Sequence, residues 1–233
     1  MEFIKAKVVG WNSRSRQLKI HIPSIPYVVA VLEEEISVYP LTKLSRRGIP
    51  TAVSVLIGTN IYVSQSSTGI FSRRAVQEYE YNLLEEGQIV QAKVAGIGSS
   101  LYLSYKSLTF YCARKEVSNS YVIDLNDYFS VGQMVDVKIL EKKGSNKYVT
   151  VSYKQAYPDT LKNYHRGDVV YGRITSNLQP ENCYFVEINP QIRGLMDFYS
   201  PMFKYGDKVI CKVIGKNASG LRLEYINCLS DKS

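Results

Sequence analysis

Histidine is nearly missing: among 233 residues there are only His21 and His165, and they fall in different segments. No close pair of carboxylates suited to acid–base work or metal-assisted phosphodiester cleavage accompanies them. The chain is therefore expected not to be an enzyme. The four cysteines, Cys112, Cys183, Cys211 and Cys228, form no C-x-x-C pair. Closed zinc sites show paired spacing, so no metal is expected and the thiols are read as reduced and structural. No apolar run approaches the roughly 20 residues of a membrane-spanning helix, and no signal peptide is legible before the first strand. The expectation is a cytoplasmic protein with no membrane partner. Gly96 and Gly98 are followed by neither a third glycine nor a helical pattern, so no dinucleotide fingerprint and no cofactor is indicated.

Tyrosine, by contrast, is abundant: 19 against 7 phenylalanines. Half-exposed strands favour it, and so do surfaces that stack bases. Hydrophobic residues make up 45%, which suits a folded chain, and the net charge of +8 favours a polyanionic partner.

The chain repeats itself. Gly167-Asp-Val-Val-Tyr-Gly-Arg-Ile174 has counterparts at 87–94 and 1–8. Offset three is Val170, Val90 and Ile4; offset five is Gly172, Ala92 and Ala6, always small. Offset six is Arg173, Lys93 and Lys7, always basic; offset seven is Ile174, Val94 and Val8. A second signature follows each copy. Gly206 leads Val209, Cys211, Val213 and Ile214; Gly132 leads Val135, Val137, Ile139 and Leu140; Gly48 leads Thr51, Val53, Val55 and Leu56. Two period-two signatures in one order, three times, predict three tandem domains.

The predicted division is a divergent first domain at 1–70, a linker with helical character at 71–86, and a second domain at 87–154. A linker at 155–166, a third domain at 167–226 and a tail at 227–233 complete it. In the first domain, strands are expected at 2–10, 18–22 and 27–32, the last buried on both sides. Residues 51–57 and 60–64 are expected to form a hairpin around Gly58-Thr59. In the second, Glu141 to Lys147 is a basic hairpin tip. Five short strands, with a longer partly helical link between the third and fourth, predict an all-β chain of three five-stranded OB-fold barrels.

The third domain resembles the S-one family, the RNA-binding repeat named after the largest protein of the small ribosomal subunit. The likeness rests on its Gly-x-x-Val-x-Gly-x-Ile opening, Phe185-Val186, Arg193-Gly194-Leu195 and Gly206-x-x-Val-x-x-Lys-Val213. Residues 149–154 resemble the family's closing strand, and 71–75 the segment that follows one. The resemblance implies single-stranded RNA as partner, with Phe185 and Tyr102 as the strand-two aromatics that stack bases. It departs at Asp197, where the family carries histidine, and at Asn182 and Cys183. Around these positions the basic candidates for phosphate contact are Lys142, Lys143, Lys147, Lys216 and Arg222, with Arg73 and Arg74 on the first linker. Tyr148 beside Lys147 offers a further stacking ring. The expected function is single-stranded RNA binding in translation or RNA handling. Two alternatives stand beside it: a protein-docking module on a ribosome or other assembly, and a single-stranded DNA binder of a mobile element or phage.

Overall fold

The computed structural model describes residues 2–43, 49–144, 147–178, 183–197 and 203–228. These form three five-stranded barrels. In the first, β1 (Ile4–Asn12), β2 (Gln17–His21), β3 (Val28–Leu32), β4 (Asn60–Gln65) and β5 (Phe71–Ser72) run in the order β3-β2-β1-β4-β5. Its end strands β3 and β5 lie side by side. The second is a closed barrel of β6 (Ile89–Ile97), β7 (Leu101–Tyr105), β8 (Leu108–Cys112), β9 (Met134–Lys143) and β10 (Tyr148–Ser152). The third closes β11 (Val169–Leu178), β12 (Cys183–Glu187), β13 (Arg193–Asp197), β14 (Lys208–Asn217) and β15 (Gly220–Cys228). There β13 pairs with β15 in parallel and every other pair is antiparallel.

Both repeated signatures acquire a physical meaning. The small residue at offset five lies on the inner face of the first strand: Ala6 and Ala92 are buried. At Gly172 a Cβ would come within 2.4 Å of Val186 Cγ1. The neighbouring strand crosses too closely there for a larger group. In the second signature Val135, Val137 and Ile139 of β9, and Val209, Cys211 and Val213 of β14, all point into their cores.

The first barrel departs from the sequence reading. Thr51–Ser54 is a turn of α-helix (α1), not a strand. Pro50 precedes it with an extended φ and ψ, and Val53 plugs the core from the helix. The place beside β1 goes to β4, with Ile4 opposite Val63 and Ala6 opposite Ile61. Residues 51–57 and 60–64 both alternate apolar side chains, so periodicity alone cannot decide which pairs with β1. The choice is settled by Gly58 at φ 86°, whose N–H donates to Val8 O at 2.8 Å while Val8 N donates to Thr59 O at 2.9 Å. Phe71–Ser72, read from sequence as linker, completes the sheet against β4. Nor is β3 buried on both faces: Val31 is inside and Val28 outside. Gly48 lies outside the described residues.

A second helix, α2 (Arg73–Asn82), follows, capped by Ser72, whose Oγ accepts from Ala75 N at 2.8 Å. By packing, the chain divides into two compact units. One comprises Met1–Glu86 with Ser104–Thr109 and Lys142–Val149; the other comprises Gly87–Leu103, Phe110–Glu141 and Thr150–Ser233. No helix among the described residues is long and apolar enough to cross a membrane.

Candidate nucleic-acid interface

Strand alternation builds the interface on the third barrel. On β12, Tyr184 and Val186 go inward, so Cys183 and Phe185 face out. On β13, Gly194 and Met196 go inward, leaving Arg193, Leu195 and Asp197 outside. Register then aligns Phe185 with Leu195, and Leu195 with Arg222 of β15. The result is an outward row of ring, aliphatic side chain and guanidinium. Arg193 Cζ stands 5.1 Å from the Phe185 ring centroid. A shallow cavity of about 180 Å³ opens here, lined by Phe185, Arg193, Leu195 and Arg222 among others. It exists because Gly194 and Gly220 let the strands approach: a Cβ on Gly194 would sit 2.3 Å from Leu223 Cδ1, and one on Gly220 2.4 Å from Arg193 O.

Asp197, the anion standing where the family has histidine, is not isolated. Arg222 Nη2 lies 3.6 Å from its Oδ1, with both side chains about half exposed. The pair offsets the charge that would otherwise repel a phosphate, but it also occupies part of Arg222.

On the second barrel Leu101 and Leu103 fill the core, which sends Tyr102 outward. Its ring meets Tyr111 of β8 edge-on at 5.9 Å. The Tyr111 and Ser100 hydroxyls are hydrogen-bonded at 2.8 Å. This outward aromatic pair parallels Phe185 with its arginine.

The other basic candidates are placed differently. Lys142 Nζ donates to Leu84 O at 2.6 Å, and both Lys142 and Lys147 hold their ammonium groups 4.8 Å from the Tyr81 ring centroid. Tyr148 packs on Tyr39 at 5.3 Å yet keeps 41% of its surface. Lys143 is exposed. Lys216 Nζ donates to Leu161 O at 3.1 Å and Tyr164 O at 2.8 Å, tying the second linker to the third barrel. Arg74 pairs with Glu78 at 3.1 Å. Arg73 donates to Ile36 O at 3.0 Å and Ser107 O at 3.3 Å, and its burial pulls the guanidinium pKa down.

Sequence reasoning did not single out Tyr111, nor Arg193 as more than a fold motif. Alternation was the available signal: Arg193 stands one residue before an inward glycine, so it must face out. Among the described residues no cluster of three or more His, Cys, Asp or Glu could hold a metal.

Two closed barrels thus present outward aromatic rings, one of them flanked by arginines. Residues 83–154, which hold the whole second barrel, match the S1 RNA binding domain family. The other two barrels repeat the same five-stranded plan around that matched domain. It is similar to the small ribosomal subunit protein bS1 of Staphylococcus haemolyticus, 27% identical over 142 residues, covering 54% of this chain and 35% of that one. The bS1 of Staphylococcus saprophyticus is 25% identical over 179 residues, covering 66% and 44%. The chain thus spans less than half the length of these relatives. Among solved structures, GSP13 from Bacillus subtilis is 25% identical, with 36% of this chain and 67% of that chain covered and a TM-score of 0.31.

Proposed function

We propose that this chain binds single-stranded RNA without chemical turnover, in translation or another RNA-handling process in the cytoplasm. The observation that carries the reading is the outward aromatic on the second strand of each closed barrel. Tyr102 stands beside Tyr111, and Phe185 beneath Arg193 in register with Arg222. Exposed rings stack bases, and guanidiniums beside them meet the backbone. The family match over the second barrel and the ribosomal names of the relatives support the same reading, and they make the ribosome the first assembly to test as a partner. Lys143 and Tyr148 are the exposed members of the β9–β10 tip and would add contacts. Lys142, Lys147, Lys216, Arg73 and Arg74 would act mainly by holding the surfaces in place.

The test is fluorescence anisotropy of the full chain with single-stranded RNA and DNA of the same sequence at two salt concentrations. Salt-dependent binding that favours RNA is expected. Binding of DNA at equal strength would favour the DNA-binding reading. Binding to neither, with recovery on isolated ribosomes, would favour a docking role.

A further inference from the structure

We propose that the connection between β8 and β9, together with Arg193 and Lys154, forms a second phosphate-backbone subsite that carries the RNA strand from the third barrel to the second. This inference rests on the RNA-binding reading above and specifies its path. A groove of about 590 Å³ is lined by Arg114, Lys115, Lys154 and Arg193, with Tyr121 and Ser120. Four cations line it and no carboxylate does. The Lys115 side chain is exposed, and its ammonium has no hydrogen-bond or ion-pair partner among the described residues. Tyr121 leaves 70% of its surface open. Ser120 is 9% exposed, and its Oγ has no hydrogen-bond partner. A buried hydroxyl without a partner is costly unless something supplies one, and a phosphate or ribose oxygen would.

The groove is built rather than incidental. Asn119 N donates to Pro190 O at 2.8 Å, and Asn119 Nδ2 donates to Gln191 O at 2.8 Å. Arg193 Nη1 reaches Asn119 O at 3.4 Å. Lys154 Nζ is fixed on Lys115 O at 2.7 Å and Arg114 Nη1 on Ile123 O at 2.9 Å. Three of the four cations, Arg114, Lys154 and Arg193, are therefore positioned before any ligand arrives, which lowers the ordering cost of binding. Arg193 also lines the cavity beside Phe185, so the stacking face and the groove form one continuous surface. An acidic peptide would satisfy the cations but has no use for the adjoining ring row. That continuity favours a nucleic-acid strand.

The experiment compares oligouridines of about 5 nucleotides, near the lower site size of one OB barrel, and about 20 nucleotides. Lys115→Glu, and Lys115→Ala with Lys154→Ala, should weaken the long RNA and leave the short one at parental affinity. The double alanine variant should lower the salt slope for the long RNA by about 1.4, at roughly 0.7 per lysine. In parallel, long RNA carrying 4-thiouridine is photo-crosslinked to the unmodified chain, which does not depend on how a variant folds. Adducts on peptides holding Lys115 or Tyr121 are expected. If the parent binds long RNA while the variants keep its affinity and slope, and adducts fall only at Tyr102 or Phe185, the groove is not on the path although the RNA-binding reading stands. If the variants lose binding to polyglutamate but not to RNA, the groove is a protein site and the inference falls. If the parent binds neither RNA, the functional reading itself fails.

Discussion

The Tyr128 hydroxyl donates to Glu187 Oε2 at 2.6 Å, and that carboxylate is almost wholly buried. Ser118 Oγ donates to its other oxygen at 2.5 Å, and Arg173 Nη2 lies 3.0 Å away, with its guanidinium over the Tyr128 ring at 4.4 Å. Burial first, then the bond to Glu187, push the Tyr128 pKa far above its ordinary value. Here Tyr128 and Ser118, from the connection between β8 and β9, meet the end of β12, and both carboxylate oxygens have donors.

Removing that charge should therefore be costly. Glu187→Gln is expected to destabilise the chain by about 3 kcal/mol, because Arg173 loses its buried partner. Tyr128→Phe should cost less, about 1.5 kcal/mol, the loss of one bond to a charged acceptor. Urea denaturation of both variants checks the order.

Arg73 is predicted to act on stability and not directly on RNA. Its guanidinium joins Ile36 and Ser107, and the same Ser107 donates its N–H to Glu80 at 2.9 Å and accepts from Gln77 at 2.7 Å. Arg73→Ala should lower stability by about 2–4 kcal/mol by leaving buried groups without partners. Its RNA affinity, measured well below the melting temperature, should equal the parent's.

Gly194→Ala should destabilise by about 1–3 kcal/mol, since the new Cβ overlaps Leu223 across the β13–β15 pair. Differential scanning calorimetry reads the change. A neutral result would mean that the parallel pair can open without penalty.

Alkaline pH should weaken the fold. Burial pushes the Cys112 and Cys211 thiols up to about 11 from an ordinary 9. Folded thiols then keep protons that unfolded ones release. Their contribution is full below pH about 9 and is lost as pH rises toward about 11. Denaturation at pH 8 and pH 10.5 should show the loss, reduced in Cys112→Ala with Cys211→Ala. Both thiols should also resist iodoacetamide in the native state, as neither is exposed.

Much of this architecture was legible because the inward residues of a barrel recur at period two. β6 to β15 follow that pattern, and the small residue at Ala6, Ala92 and Gly172 encodes a close strand crossing. Where two neighbouring segments share the period, as Val53-Ser-Val55 and Ile61-Tyr-Val63 do, pairing is decided by the turn between them, which the pattern does not contain. Tyr102 and Phe185 were reached through the family resemblance, and strand alternation turns both outward. The fates of Lys142, Lys147 and Arg73 were not legible, since charge in a sequence does not reveal that Tyr81 or a backbone carbonyl waits to receive it.

The most direct test of the central claim, that single-stranded RNA lies on the outward rings, is a titration of Phe185→Ala and Tyr102→Ala against the parent. Base stacking is worth about 1–3 kcal/mol per ring, so each variant should bind about five- to over a hundredfold more weakly, with its salt slope unchanged. Parental affinity in both variants would contradict the account.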